Sequence, residues 1–230
     1  MAPNWLTTVA WSYLGICFLC ATAIAYDIAF NGRRQQMGVM NAVYPITALY
    51  LGPFALALYR RWGRAAQPGG HGASGPSNSA KPRWATLAIE VSHCGAGCTL
   101  GDVIAEWAIF ALALTIVGRA LFAEYVGDYV LALGFGILFQ YYAIAPMRGL
   151  GVRDGLKAAT KADFISLTFF EIGLFGWMAL MAFVFLPAPH HLMPSSAAYW
   201  LLMQIGMIVG FFTSWPANVW LLNRGIKVAM

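Results

Sequence analysis

Uninterrupted apolar stretches of about twenty residues recur along this 230-residue chain, and that is the length a helix needs to cross roughly 30 Å of hydrocarbon. Six are read, at about 5–27, 37–59, 84–123, 127–147, 163–186 and 197–222. Within lipid a lone segment satisfies its own backbone polar groups only as a helix. The expected fold is therefore all-α: a polytopic membrane helical bundle of about six transmembrane helices. Composition agrees, with 60% hydrophobic and 10% charged residues. The expected location is the cell membrane, with the lipid bilayer as first partner. The opening "MAPNWLTTVAW" lacks a basic n-region, so the first stretch reads as a retained span rather than a signal peptide.

The net charge is +5, but its placement says more than its size. Lys and Arg gather at Arg60, Arg61, Arg64, Lys81 and Arg83, at Arg148, Arg153, Lys157 and Lys161, and at Arg224 and Lys227. Six spans with both termini cytoplasmic put all of these on one side, as the positive-inside rule asks. Arg33 and Arg34 then lie outside, and Arg119 lies within a span. Nothing here resembles a nucleic-acid surface. Residues 61–83 contain a linker rich in Gly, Pro and Ser, expected to be disordered. It separates a two-helix front (1–60) from a four-helix membrane core (84–230). His71 in the linker reads as a solvated residue.

The third stretch is too long. A helix from Trp84 to Ala123 would extend about 60 Å, twice the hydrocarbon thickness. Within it lies "SHCGAGCTLGD" (92–102), whose Gly95, Gly97 and Gly101 each disfavour helix by about 1 kcal/mol relative to Ala. The third helix is thus expected to be long or broken at Gly95–Gly101, with Asp102 capping a fresh helix. Gly97 and Gly101 also fit a small-xxx-small seam for close helix packing; the two readings are compatible.

Ligand-type side chains crowd the same segment: Glu90, His93, Cys94, Cys98, Asp102 and Glu106. All but His93 follow one another at i, i+4, so neighbouring pairs share a helix face. Ionisable groups at membrane depth are functional candidates by default. Thiolate and thioether select soft ions such as copper(I), and thiolate with imidazole also suits zinc. His93, Cys94, Cys98, Glu90, Asp102 and Glu106 are accordingly the candidate metal ligands. Asp163 and Glu171, two turns apart, with Ser166 and Thr168 nearby, are candidates for an ion path or proton relay. Met203 and Met207, and the Cys17/Cys20 pair, read first as core packing and second as part of that path. Met178 and Met181 share a face, and His190, His191 and Met193 form a His/Met cluster expected to face outward. Neither Cys pair meets disulfide geometry within a regular helix.

Pro216 in "SWPANVW" predicts a kink, with Asn218 available to exposed carbonyls. Trp215 and Trp220 suit an interfacial belt. The run "RGLGVRDGLKAATK" (148–161) suits an amphipathic surface helix.

At "HCGAGCTLGD" (93–102) and "WPANVWLLNRGIK" (215–227) the chain resembles an uncharacterised bacterial membrane family, domain-of-unknown-function family 4396. The resemblance covers about 84–227 and omits the first two spans. It implies a multispan membrane protein and assigns no activity. A looser likeness to copper-uptake proteins rests on Met203-x-x-x-Met207; those are shorter, with fewer spans, and no kinship follows.

The leading functional expectation is a transporter or channel for a metal cation, copper(I) ahead of zinc or other divalent ions. The metal is the only cofactor or cargo read from the sequence. One alternative is a membrane thiol/quinone oxidoreductase, although no nucleotide, haem or flavin fingerprint is present. Another is an accessory or assembly subunit of a larger membrane complex. A homo-oligomer fits either. No nucleophile elbow, phosphate loop or H-E-x-x-H appears, so an enzyme is not the first reading.

Overall fold

The computed structural model describes residues 3–65, 81–186 and 192–227. The linker glycines, His71, His190 and His191 lie outside the described residues, as do the expectations placed on them. Among the described residues the fold is all-helical. Five helices are long and apolar enough to cross a membrane: α1 (Asn4–Phe30), α4 (Arg83–Leu112), α5 (Ala120–Arg148), α6 (Val152–Leu180, prolonged by a π-helical turn, Met181–Phe185) and α7 (Ala197–Asn223). Large apolar side chains such as Leu19, Phe30, Val130, Ile172 and Phe212 face outward.

The expected second span does not form one membrane-length helix. Residues 40–63 form a short helix α2 (Met40–Leu51), a turn at Gly52, a shorter helix α3 (Pro53–Leu58) and a π-helical turn (Tyr59–Gly63). Gly52 takes φ +51°, and Pro53 follows it. The first is a backbone state that side chains resist, and the second cannot continue the hydrogen-bond ladder. The chain therefore folds back on itself. Tyr44 of α2 packs edge-on against Tyr59, ring centroids 5.1 Å apart, and a Cβ on Gly63 would sit 2.6 Å from the Tyr44 ring. The tip reaches only the middle of α1, where a Cβ on Gly52 would lie 3.1 Å from Cys17 Sγ. Both limbs return to one end, where the Gln35 amide donates to Gly63 O and Arg64 meets Asp27. Asn4 and Asn223 consequently sit at opposite ends of the bundle: Ala10 packs with Ala197 and Leu201 at one, while Arg83 bonds Asn223 at the other.

The expected break in the third segment is also absent. The helix α4 runs unbroken through all three glycines, with Asp102 in mid-helix. Their missing side chains are used for packing. A Cβ on Gly97 would come 2.9 Å from Gly136 Cα, and one on Gly101 2.3 Å from Ala132 N, both on α5. Close backbone approach offsets the weak helix propensity, as in other small-residue seams. The excess length of the 84–123 stretch has another cause. The helix stops at Leu112, Ala113 turns left-handed at φ +51°, and a tight turn held by Ile116 and Arg119 leads into α5. Arg119 is thus the residue before α5 and not part of a span; its guanidinium lies 5.1 Å from the Phe183 ring.

The basic run at 148–161 does not form a separate surface helix. It supplies the first turns of α6, with Gly155 and Ala159 buried and Arg153 and Lys157 exposed. At Pro216 the helix α7 continues, and Asn218 Nδ2 donates to Ser214 O at 3.0 Å rather than to the carbonyl of Phe212, which the proline leaves without its N–H donor. One apolar core cluster includes α1, α2 and α3 together with α4, α6 and α7, so the front and the core pack as one body. The central element is α4, flanked by α5, α7, α2 and α6.

Candidate functional site

The buried polar groups follow α4 from one end of the bundle to the other. At the end carrying Arg83 and Asn223, Lys227 is folded inward and donates to Asn218 Oδ1 at 2.8 Å. Asn218 Nδ2 in turn reaches Ser166 Oγ and Ser214 Oγ, each at 2.8 Å. Asp163 and His93 face the same ammonium. His93 is fully buried, its ring edge-on to Phe139 with centroids 6.2 Å apart. A Cβ on Gly136 would collide with Asp163 Oδ2 at 2.1 Å, so the α5 glycine makes room for this carboxyl.

Next to His93 in the chain, Cys94 lies beside Asp163, and one turn further along Cys98 lies beside Cys94 and Glu171. Tyr50, at the tip of the folded-back α2, presses its hydroxyl toward Gly95 and both thiols. Next come the acids. Asp102 neighbours Glu171 and Glu106. Asp128 of α5 neighbours Asp102, Glu106, Glu171 and Glu124. Glu106 lies beside Tyr199 of α7. Asp102, Glu106, Asp128 and Glu171 are each 1% exposed or less, and none of their carboxyl oxygens has a partner at hydrogen-bond geometry among the described residues. Glu124 and Tyr199 then line a cavity of about 780 Å³ at the far end, walled by Met178, Met181, Met193 and Met203.

One acid shows what a satisfied carboxylate looks like in this protein. Asp27 receives Arg64 Nε at 2.8 Å and a second guanidinium nitrogen at 2.6 Å, with Tyr59 and Asn31 each bonding at 2.9 Å. That fork is the charge-assisted arrangement that stabilises a carboxylate, and it is the one ion pair formed among the described residues. Among the described residues no acid of α4 receives such a guanidinium fork.

The candidate ligands are only partly brought together. Cys94, Cys98, Asp102, Glu106, Asp163 and Glu171 join one continuous array, and His93 borders it. Strung along a straight helix, Glu90 to Glu106 span about 24 Å, and no three His, Cys, Asp or Glu side chains among the described residues converge on a single metal position. Glu90 stands at the basic end near Tyr44 and Lys81. Burial lowers the Lys81 ammonium from its ordinary value while the Glu90 charge opposes that. Met203 borders the methionine cavity. Met207 Sδ accepts from Thr99 at 3.8 Å. Cys17 and Cys20 sit apart, against Gly52, Tyr13 and Arg60. All four cysteines are free thiols.

Four participants were not singled out from the sequence. Glu124 and Asp128 carry the same i, i+4 signal as α4, but the misplaced end of the third segment left Glu124 between spans and Asp128 at a span edge. Tyr199 gave no signal of its own. Lys227 was counted among the cytoplasmic charges, whereas it is 2% exposed.

An all-helical bundle with membrane-length helices and a buried acid and thiol array defines the class. The family described as Domain of unknown function (DUF4396) matches residues 83–227, more than half of the chain, and the chain belongs to that family. The match runs from the first residue of α4 to Lys227, so the array along α4 falls within it, while α1 to α3 precede it. No curated protein and no solved structure matches the chain.

Proposed function

We propose that this chain is an integral membrane carrier or channel for a metal cation, with copper(I) ahead of zinc and other divalent ions. One observation carries the reading: Asp102, Glu106, Asp128 and Glu171 stand together, buried, and none of them is in an ion pair among the described residues. Like charges at such spacing in a low-dielectric interior are costly unless a counter-charge joins them. A passing cation supplies it, and protons held by the same carboxyls leave as it enters. The methionines at the cavity and the thiols of Cys94 and Cys98 favour a soft ion. Among the described residues the ligands pair along α4 rather than gather in threes, so an ion would be handed between pairs of ligands.

In a bilayer the basic end, with Arg60, Arg64, Arg83, Arg153 and Lys157, belongs on the cytoplasmic side. Five crossings then place Asn4 on the other side, a revision of the expectation that both termini share the cytoplasm.

The test is uptake into sealed proteoliposomes. Silver(I), a redox-stable stand-in for copper(I), is expected to accumulate, and Glu171→Gln or Cys94→Ser/Cys98→Ser should slow it at least tenfold. Wild-type vesicles no more permeable to silver, copper(I) or zinc than protein-free vesicles would overturn the proposal.

A further inference from the structure

A second cavity, of about 400 Å³, opens on the flank of the bundle between α1, α4 and α7. Its volume falls within the roughly 300–1,000 Å³ usual for small-molecule sites. The walls are aromatic and turned to the outside of the bundle: Trp11 is 66% exposed, Phe18 60% and Trp107 44%. Trp107 stacks on Trp200 with centroids 6.2 Å apart and planes 26° from parallel. The floor differs in kind. Asp102 lines it, 1% exposed, with neither carboxyl oxygen bonded. Gln204 lines it too; its amide nitrogen donates to Leu49 O, and its Oε1 is buried with no hydrogen-bond partner among the described residues.

An apolar mouth, aromatic faces and a floor of unpartnered acceptors that includes a carboxyl are complementary to one kind of molecule. We propose that this crevice binds a lipophilic amine: a flat apolar body bearing a protonated nitrogen. The ammonium donates to Asp102 and Gln204 Oε1, and the flat apolar body lies against Trp11, Trp107 and Trp200, whose rings offer aromatic contact area. A neutral lipid tail would fill the mouth and leave the floor unsatisfied. The crevice meets the acid array only at Asp102, so an amine seated there occupies one carboxyl of that array from the side. The proposal does not rest on metal passage, because binding is measured with no metal present.

The experiment uses the full chain in lipid nanodiscs, with empty nanodiscs as the blank. The probe is 1-naphthylmethylammonium, and its neutral counterpart is 1-naphthylmethanol; equilibrium dialysis reads both. Saturable binding of one amine per chain is expected, with the alcohol at least tenfold weaker. Asp102→Asn should weaken the amine at least tenfold and leave the alcohol unchanged. Trp11→Ala alters a side chain exposed on α1 and cannot unfold the core; it should weaken the amine at least threefold, which keeps the test alive if Asp102→Asn fails to fold. Equal affinity for amine and alcohol would mean that only an apolar lodging exists and would overturn the proposal. So would a Trp11→Ala protein that binds the amine like the wild type.

Discussion

Gly101 of α4 faces the backbone of Ala132 on α5 so closely that a single added methyl would stand 2.3 Å from the Ala132 nitrogen and 2.6 Å from its Cα. Neither contact partner is a flexible side chain that can swing away. Gly101→Ala is therefore expected to destabilise the protein by about 1–3 kcal/mol, the usual cost of overpacking. Gly134→Ala, on the same α5 but with nothing within 4 Å of its would-be Cβ, should be neutral or stabilising by up to about 1 kcal/mol through helix propensity. Thermal unfolding of the two variants in one detergent reads the difference.

The thiols give a second check. Cys17, Cys94 and Cys98 are 0% exposed and Cys20 is 7%. An impermeant maleimide should leave all four unmodified in the folded protein, while denaturant should expose four reactive thiols. Four free thiols, counted by mass, would also argue against an oxidoreductase cycling through a Cys94–Cys98 bridge. An unbroken helix already holds that pair outside disulfide geometry.

Lys227 supplies a third. Its ammonium is buried and bonded to Asn218, whose amide also ties Ser166 to Ser214. Asn218→Leu strips the ammonium of that acceptor and both serines of a donor. A loss of about 3–5 kcal/mol is expected, as for other breaks of one partner in a buried charged network. Lys227→Met should cost less, since it removes the charge along with its need for a partner. Equal losses would show that the network is not organised around the lysine.

The methionine cavity makes a chemical prediction. Replacing Met181 and Met193 by Leu keeps volume and removes thioether sulfur. Silver(I) binding to the purified protein should weaken about tenfold, or about 1.4 kcal/mol, with zinc binding unchanged. Isothermal titration with each ion separates the two.

The direction of the chain is testable as well. With cysteines introduced at Trp5 and at Lys157, opposite-side labelling by an impermeant maleimide in intact cells is expected. Same-side labelling would mean that residues 40–63 cross after all.

Much of the helical class was legible from the spacing of apolar residues, because hydrocarbon imposes one length on every crossing. The acids of α4 were legible for the same reason: Asp102 and Glu106 stand out where nothing charged should be. What the chain did with its glycines was legible only in part: the small-residue seam at Gly97 and Gly101 was read from their spacing and is formed, whereas the expected break is not. Gly97 and Gly101 in isolation weaken a helix, and only the partner surface at Ala132 and Gly136 turns that weakness into contact. The turn at Gly52 was hidden by residues apolar enough on both sides to pass for one span. Glu124 and Asp128 were missed because α4 ends at Leu112 through a left-handed alanine, a conformation with no marker in the sequence.

The folded-back segment at Gly52 has a mechanical consequence. Its tip brings Tyr50 against the two central thiols while its roots stay at the basic end. The helix α4 thus divides its glycines between two partners: Gly95 admits the hairpin tip, and Gly97 and Gly101 admit α5. A side chain at Gly95 would meet Tyr50 and leave the α4–α5 seam untouched.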